Sequence, residues 1–239
     1  MEFRCDFHLH TCLSPCADNE MTPNNIVNMA RILNLDVIAI TDHNSALNCR
    51  SVMEAANGTG LTVLPGVELS TSEEIHVVCL FPDCSSAEAF GAMVCDTLMP
   101  IKNRPESFGE QIFMNKNDEI MGKEEILLTT ASKISIDFLP SLLGGYGGVF
   151  WPAHVDRTSY SIISVLGDIR NDMGFSFVEI TRNADKKYLQ EKYSAVREMR
   201  LIVCSDAHNL ESMVMQEYEV LTFANREPQT ILNHLKTCL

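Results

Sequence analysis

Six of the seven histidines in this 239-residue chain stand in five short polar clusters, each at one end of an apolar, strand-like run. The clusters are His8-Leu9-His10, Thr41-Asp42-His43-Asn44, Glu74-Ile75-His76, Pro152-Ala153-His154 and Ser205-Asp206-Ala207-His208, and Glu68 closes a sixth run. Neutral imidazole and carboxylate are the groups that hold zinc, manganese or iron. In a strand, residues i and i+2 share a side, so His8 and His10 can reach one ion together. A lone strand histidine is more often a packed side chain bonded to a backbone carbonyl than a ligand. Six strand ends that repeat the same chemistry point instead to one polynuclear metal site.

Such a site needs strands whose ends converge. β-Branched and aromatic content predicts strands over 3–8, 36–41, 61–68, 75–81, 147–151, 175–181, 201–205 and 218–223. Helical patterns lie between most of them. Thr22-Pro23 reads as an N-cap and first-turn pair before the apolar stripe Ile26, Val27, Ala30 and Leu33. Ser45 is expected to cap a second helix that stops at Gly58, Ser86 to precede a third, and Pro228 to open the last. Alternating strands and helices imply a mainly parallel sheet, open or closed into a barrel. Only residues 69–74 separate the run ending at Glu68 from the run that starts near Ile75. That is too short for a helical crossover, so a hairpin is expected there, with His76 on the same face as Glu68.

Residues 96–145 break the rhythm, with a polar stretch at 102–106, a turn at 115–118 and two helical patterns. They read as an insertion over the mouth of a single domain spanning 1–239. Gly144-Gly145-Tyr146-Gly147-Gly148 lacks the spacing and following helix of a phosphate loop, so no nucleotide role follows from it. Phe150 and Trp151 read as core or pocket wall, His234 as solvent-facing, and Cys12-x3-Cys16 as too weak a pattern for a thiolate zinc site.

Composition narrows the class. The 46% apolar content supplies a large core, and no apolar run approaches the roughly 20 residues of a membrane span. The N-terminus carries neither a basic leader nor a cleavage pattern, so no signal peptide is expected. Nine cysteines, mostly in apolar runs, fit reduced thiols in the cytoplasm better than a disulfide framework. A net charge of −14 argues against stable nucleic-acid binding through a broad basic surface. Bound divalent cations would reverse the potential locally and could draw a small phosphate into one pocket.

The combination His8-x-His10, Thr41-Asp42-His43, Gly66-Val67-Glu68, His76, Pro152-Ala153-His154 and Ser205-Asp206-Ala207-His208 resembles the PHP (polymerase and histidinol phosphatase) phosphoesterases, in the order that family uses. The resemblance is nearest to stand-alone members with an insertion. It implies a distorted seven-stranded β/α, TIM-like barrel with two or three divalent ions, manganese, iron or zinc. On the same basis His8, His10, Glu68 and Asp206 would hold a first ion. Glu68 would bridge to a second, shared with His76 and His154. His43 and His208 would hold the third with an acidic residue of the loop after the first strand, which points to Asp18 and leaves Glu20 as the alternative. Asp42 is expected to orient a ligand or a water.

The chemistry of the residues agrees. Two ions about 4 Å apart can bridge a water, lower its pKa toward roughly 7 and neutralise phosphoryl oxygens as charge builds on them. Glu68, Asp206 and His208 would then carry catalysis, with His208 a candidate proton donor to the leaving group. Arg157, Arg104 and Arg182 are the candidates for bidentate phosphate contacts, although each could equally be a surface ion pair. The leading expectation is a phosphoesterase that releases phosphate from a small phosphorylated substrate, a nucleotide among the candidates. The alternatives are a phosphodiesterase or exonuclease on nucleic acid, and a metal-stabilised binding module without catalysis.

Overall fold

The computed structural model describes residues 1–175, 177–215 and 217–237. The chain opens with β1 (Glu2–Leu9), α1 (Pro23–Ile32), β2 (Val37–Ile40), α2 (Cys49–Ala55) and the pair β3 (Thr62–Ser70) and β4 (His76–Leu80), followed by α3 (Cys84–Cys95). The insertion contributes α4 (Pro105–Phe108), the hairpin β5 (Ile112–Met114) and β6 (Ile120–Lys123), and α5 (Leu139–Gly144). The chain then runs through β7 (Val149–Pro152), α6 (Ile162–Leu166), β8 (Phe177–Ile180), α7 (Lys186–Lys192), α8 (Ser194–Glu198), β9 (Arg200–Val203), β10 (Glu219–Thr222) and α9 (Pro228–Thr237). Each of the eight expected strands lies within about two residues of its expectation, because apolar alternation bounded by turn residues marks buried strands well, whereas the β5–β6 hairpin arises where only a turn and helical patterns were expected.

Six strands form one curled sheet in the order β10-β1-β2-β3-β4-β7. β1, β2 and β3 run parallel, whereas β4 is antiparallel to both β3 and β7. The short 69–74 link therefore makes the expected hairpin, with Ser70 paired to His76. β8 and β9 form a separate parallel pair. A continuous seven-stranded barrel is thus not what the hydrogen bonds draw among the described residues. Single contacts join the two sheets instead: the His10 amide donates to the Ala207 carbonyl (3.0 Å) and the Val155 amide to the Glu179 carbonyl (2.8 Å). Between β7 and β8, Phe150 and Phe175 meet edge to face at 5.4 Å, so ring packing stands where a ladder would run.

Two apolar clusters cover the two faces of the large sheet. Ile38, Ile40, Val67 and Leu69 pack with Ile26 and Val27 of α1, Val52 of α2 and Phe90 of α3. Phe3, Cys5, Phe7, Leu64, Val78 and Trp151 form the other cluster, with Ile231, Leu232 and Leu235 of α9 beneath them. β1 changes face partway. Its pairing to β2 slips between Asp6 and Leu9, and Leu9 joins the helix-side cluster although Phe7, two residues earlier, lies in the other. A bulge adds one residue and reverses the alternation beyond it. His8 and His10 consequently face the same way as Phe7. Gly66 in β3 is also dictated by close approach, since a Cβ there would meet Leu80 at 2.6 Å and the Cys79 carbonyl at 2.8 Å.

Local signals misled at three points. α2 starts at Cys49 rather than after Ser45, because Asn44 has a left-handed backbone (φ 53°) and the chain turns before the helix begins. α3 is capped by Asp83, whose Oδ1 accepts the Ser86 amide at 2.8 Å, so Ser86 lies inside the first turn. His234 is half-buried, edge-on to Phe223 at 5.0 Å, rather than solvent-facing.

The insertion is stitched to the loops at the strand ends. The Ile112 amide bonds the Cys12 carbonyl, and Asn48 holds both the Ile112 carbonyl (3.0 Å) and the Met114 amide (2.9 Å). Asn44 donates to the carbonyls of Leu128 and Thr130 while accepting the Ser70 amide. The segment therefore lies against the loops that carry His10 and His43 and against the end of β3, which carries Glu68.

Candidate metal centre

The strand ends bring the predicted ligands together. His8 and His10 leave β1 and Glu68 lies near the end of β3. His76 opens β4, and His43, His154, Asp206 and His208 follow β2, β7 and β9. His154 (φ 32°) and Asp206 (φ 48°) hold left-handed backbones, a cost that non-glycine residues bear mainly at functional sites. Glu68 is the hub. Its Oε1 lies 3.3 Å from His8 Nε2, 3.0 Å from His76 Nδ1 and 3.2 Å from His154 Nε2. Its Oε2 lies 3.2 Å from His10 Nε2 and 2.9 Å from His43 Nδ1. Asp206 Oδ1 is 3.3 Å from His8 Nε2 and 3.2 Å from His10 Nε2.

Those separations carry information. Ligands about 2.1 Å from one centre at tetrahedral angles stand roughly 3.4 Å apart, close to what His8, His10, Glu68 and Asp206 show. The Nε2 atoms of His8 and His10 approach to 3.2 Å. Neither has a proton to share in the neutral ring, because each Nδ1 is already committed. His8 Nδ1 donates to both oxygens of Glu179 (2.9 and 3.0 Å). His10 Nδ1 donates to Ser14 Oγ (2.9 Å), whose own proton goes to Asp42 Oδ1 (2.7 Å). Two imidazole lone pairs and two carboxylates thus face one point, an arrangement that a cation resolves. His208 Nδ1 is likewise tied to the Asp206 carbonyl at 2.9 Å, which leaves its Nε2 as the donor atom.

Within the histidine cluster itself, positive charge can otherwise come from protons on the imidazoles. Burial disfavours charged His8, yet Glu179, Asp206 and Glu68 outweigh it and hold this imidazole well above its ordinary value. Burial also opposes charge on His10 and His43, and their carboxylate neighbours still raise each to about 9. Glu68 is buried, which alone would raise it, but His76, His8 and His43 hold it well below the carboxylate range. His208 goes the other way, pushed down to about 3 by burial and by His10. Glu68 Oε2, His154 Nδ1 and Asp206 Oδ1 are buried without a well-formed hydrogen bond, although imidazole nitrogens crowd the two oxygens. This donor set fits divalent ions.

Three groups of potential ligand atoms lie close enough to share an ion: His8, His10, Glu68 and Asp206; His43, Glu68 and His76; and His10, His43 and His208. His154 stands beside the second through Glu68. Asp18 and Glu20 are exposed, and neither carboxylate joins a group. The Asp18 amide nevertheless bonds the His208 carbonyl at 2.8 Å, which lays that loop along the third group. Asp42 binds no candidate ion and holds the Thr11 amide and hydroxyl as well as Ser14.

Arg157 reaches Asp206 Oδ2 at 2.6 Å and lines the cavity beside His154 and Asp206. Arg182 lines the same cavity. Arg104 does not come near it: its guanidinium sits 5.6 Å above Phe108 in the insertion. Three contributors escaped the sequence reading. Ser14 relays Asp42 to His10. Glu179 lies buried in the apolar run of β8, and a lone acid in such a run was its one visible signal. Tyr160 stacks on His76 at 4.8 Å and gives its carbonyl to the His76 amide.

Fold and cluster together define an α/β protein whose strand ends could hold several metal ions. The PHP domain model matches residues 6–208, and the chain belongs to that family of metal-dependent hydrolases. Over 78 residues it is 36% identical to the 5'-3' exoribonuclease Rnm of Salmonella typhimurium, a match covering 30% of this chain and 26% of that protein; the Escherichia coli protein matches equally. The matched segment thus spans about a quarter of these relatives' length. The crystal structure of the lesion-specific endonuclease PfuEndoQ from Pyrococcus furiosus shares the fold over 99% of this chain and 56% of its own (TM-score 0.67, 16% identity). A Bifidobacterium adolescentis protein described as a metal-dependent phosphoesterase is alike over 95% of both chains (TM-score 0.63, 19% identity). At such identities these two likenesses concern the fold alone.

Proposed function

We propose that the protein is a metal-dependent phosphoesterase that hydrolyses a small phosphomonoester, with manganese, iron or zinc as its ions. The observation that carries this reading is the pair of imidazole lone pairs and two carboxylates facing one point, with the Arg157 guanidinium 2.6 Å from one of those carboxylates. His8, His10, Glu68 and Asp206 would hold the first ion; Glu68, His76 and His154 the second; His43 and His208, with Asp18 or Glu20 after loop movement, the third. When bound, such ions supply Lewis acidity to water and neutralise phosphoryl oxygens. The protein's own part is to fix geometry. Glu179 and the Asp42–Ser14 pair lock the tautomers of His8 and His10, and Arg157 offers a planar fork for two phosphate oxygens. His208, neutral and with its Nδ1 proton bonded to Asp206, serves as a ligand better than as a charged acid.

We read residues 1–239 as one domain carrying the 96–145 insertion and the cytoplasm as its compartment, because the cysteines are unpaired among the described residues. A second reading, exonuclease action on nucleic acid, draws on the segment shared with the exoribonuclease. Endonuclease Q, a fold neighbour, is known with a 27-mer duplex substrate. The net charge of −14 weighs against a long polyanion. The test is phosphate release from a panel of phosphomonoesters and from a 5'-phosphorylated oligonucleotide, each with manganese, iron or zinc added. Phosphate from monoesters supports the first reading; shortening of the oligonucleotide alone supports the second; no release from either refutes both.

A further inference from the structure

His76 is held differently from other proposed ligands. In His8, His10 and His208 the nitrogen that faces away from the ligand group is tied by a hydrogen bond, to Glu179, Ser14 and the Asp206 carbonyl respectively. His76 turns Nδ1 toward Glu68 Oε1 at 3.0 Å, and its Nε2 makes no hydrogen bond with another protein group among the described residues. Rings set its plane instead. Tyr160 lies nearly parallel to it, with centroids 4.8 Å apart and planes at 18°. His43 and His154 stand tilted and edge-on to it at 5.1 and 5.4 Å.

Tyr160 is kept in this place against a conformational cost. Its backbone is left-handed (φ 55°), which an aromatic residue adopts only where its surroundings enforce it. The loop that ends at Tyr160 starts and finishes on His76: the Ala153 amide donates to the His76 carbonyl (3.0 Å), and the His76 amide donates to the Tyr160 carbonyl (2.9 Å). Immediately beyond it, Ser161 Oγ donates to the Arg157 carbonyl (2.7 Å) and accepts the Ser164 amide (3.1 Å), in the capping box that opens α6. His154 lies within the same loop. Core packing does not account for the ring, since Tyr160 belongs to neither apolar cluster of the large sheet and is 50% exposed. His76 is only 9% exposed, so the phenol ring shields an imidazole that would otherwise face water.

We infer that Tyr160 is a positioning residue for the second ion, the one assigned to Glu68, His76 and His154, because its ring holds the His76 imidazole in plane and favours the metal-bound form over the free one. This rests on the ligand assignment proposed above, and on neither the reaction nor the substrate. An imidazole that shares its lone pair with a divalent ion takes up part of the ion's charge. The face of a phenol ring is the negative part of its quadrupole, so the stack strengthens as the ion binds. Only such a difference between free and bound states adds to affinity. His8 and His10 in the first group are oriented by hydrogen bonds instead, so the effect of Tyr160 should be confined to one ion.

Calorimetric titration of chelator-stripped protein with zinc reads this without turnover. Tyr160→Leu keeps an apolar side chain and the same backbone cost but has no ring. It should weaken one ion by about tenfold and leave the remaining binding unchanged. Tyr160→Phe keeps the ring face and should titrate as the wild type does. Zinc loading of the wild type should also shift the near-ultraviolet tyrosine absorption by a component missing from Tyr160→Phe, a reading that does not depend on the leucine variant's stability. Wild-type titration by Tyr160→Leu, equal weakening of every ion, a loss shared by Tyr160→Phe, or the same absorption change in Tyr160→Phe as in the wild type would each overturn the inference. A wild type that binds no divalent ion would instead refute the ligand assignment beneath it.

Discussion

Glu179 shows what a single side chain can do without touching an ion. It fixes the His8 proton on Nδ1 and is itself held by Trp151 Nε1 at 3.3 Å, in a site closed to water. Glu179→Gln should weaken metal affinity by about 10- to 100-fold with little loss of fold, since outer partners of ligating histidines typically carry that much; calorimetric titration with zinc would measure it, and unchanged affinity would remove the residue from the site. Glu68 belongs to two of the three ligand groups, so Glu68→Gln should cost more phosphate release than His43→Ala under identical metal loading. Arg157→Lys should keep metal stoichiometry and lower kcat/KM by roughly ten- to a hundredfold, about 1.4–2.8 kcal/mol, because lysine offers a point charge in place of a fork. The proposed ligands were legible in the sequence because each interrupts an apolar strand at its end. Ser14 and Glu179 were not, because their work depends on which side chain lies across from them, and that is set by pairing register rather than by local pattern.

At the scale of elements, the hairpin of β3 and β4 could be read from a link too short to hold a helix, and its consequence, Glu68 beside His76 at 3.0 Å, followed. The bulge in β1 could not be read, since nothing in Asp6-Phe7-His8-Leu9 announces where an extra residue will fall. Nor could the break between the two sheets, which depends on how aromatic rings fill the space between β7 and β8. The insertion acts on the centre through Asn44, the neighbour of His43. This buried side chain ties β3 to the 128–130 segment by three hydrogen bonds while its backbone stays left-handed. Asn44→Ala leaves those backbone groups unpartnered and removes a residue type that tolerates the conformation. A loss on the order of 2–4 kcal/mol is expected, read as a lower urea midpoint, with earlier proteolytic cleavage inside 96–145.

For the molecule as a whole, pH and metal should act on the same groups. In metal-free protein, protonated His10 and His43 favour the fold, their values standing at about 9 against an ordinary 6.5 despite burial, through Glu68 and its neighbours. That contribution is complete below pH 6.5 and lost as pH rises through about 9. Glu68, held below its ordinary 4.5 by His76, His8 and His43 against the opposing effect of burial, contributes above that value and fails in acid. Chelated protein should therefore melt highest between about pH 4.5 and 6.5, whereas divalent ions should restore stability at pH 8 and release protons on binding; a melting temperature of the chelated protein that climbs from pH 6.5 to 9 would contradict this. The proposed ligands are also distributed unevenly. His8, His10, His43, Glu68 and His76 belong to the six-stranded sheet, while Asp206 and His208 follow β9 of the separate pair. Among the described residues no continuous ladder crosses between them; isolated backbone bonds such as His10 to Ala207 and side-chain bonds such as His8 to Glu179 do. An ion shared by His8, His10, Glu68 and Asp206 would work as a rivet through a seam, so the apparatus for chemistry is also the fastener that closes the wall around it. Amide exchange at His10 and Val155 should slow sharply on metal loading, and the seam, rather than the core, should be where the demetallated protein first comes apart.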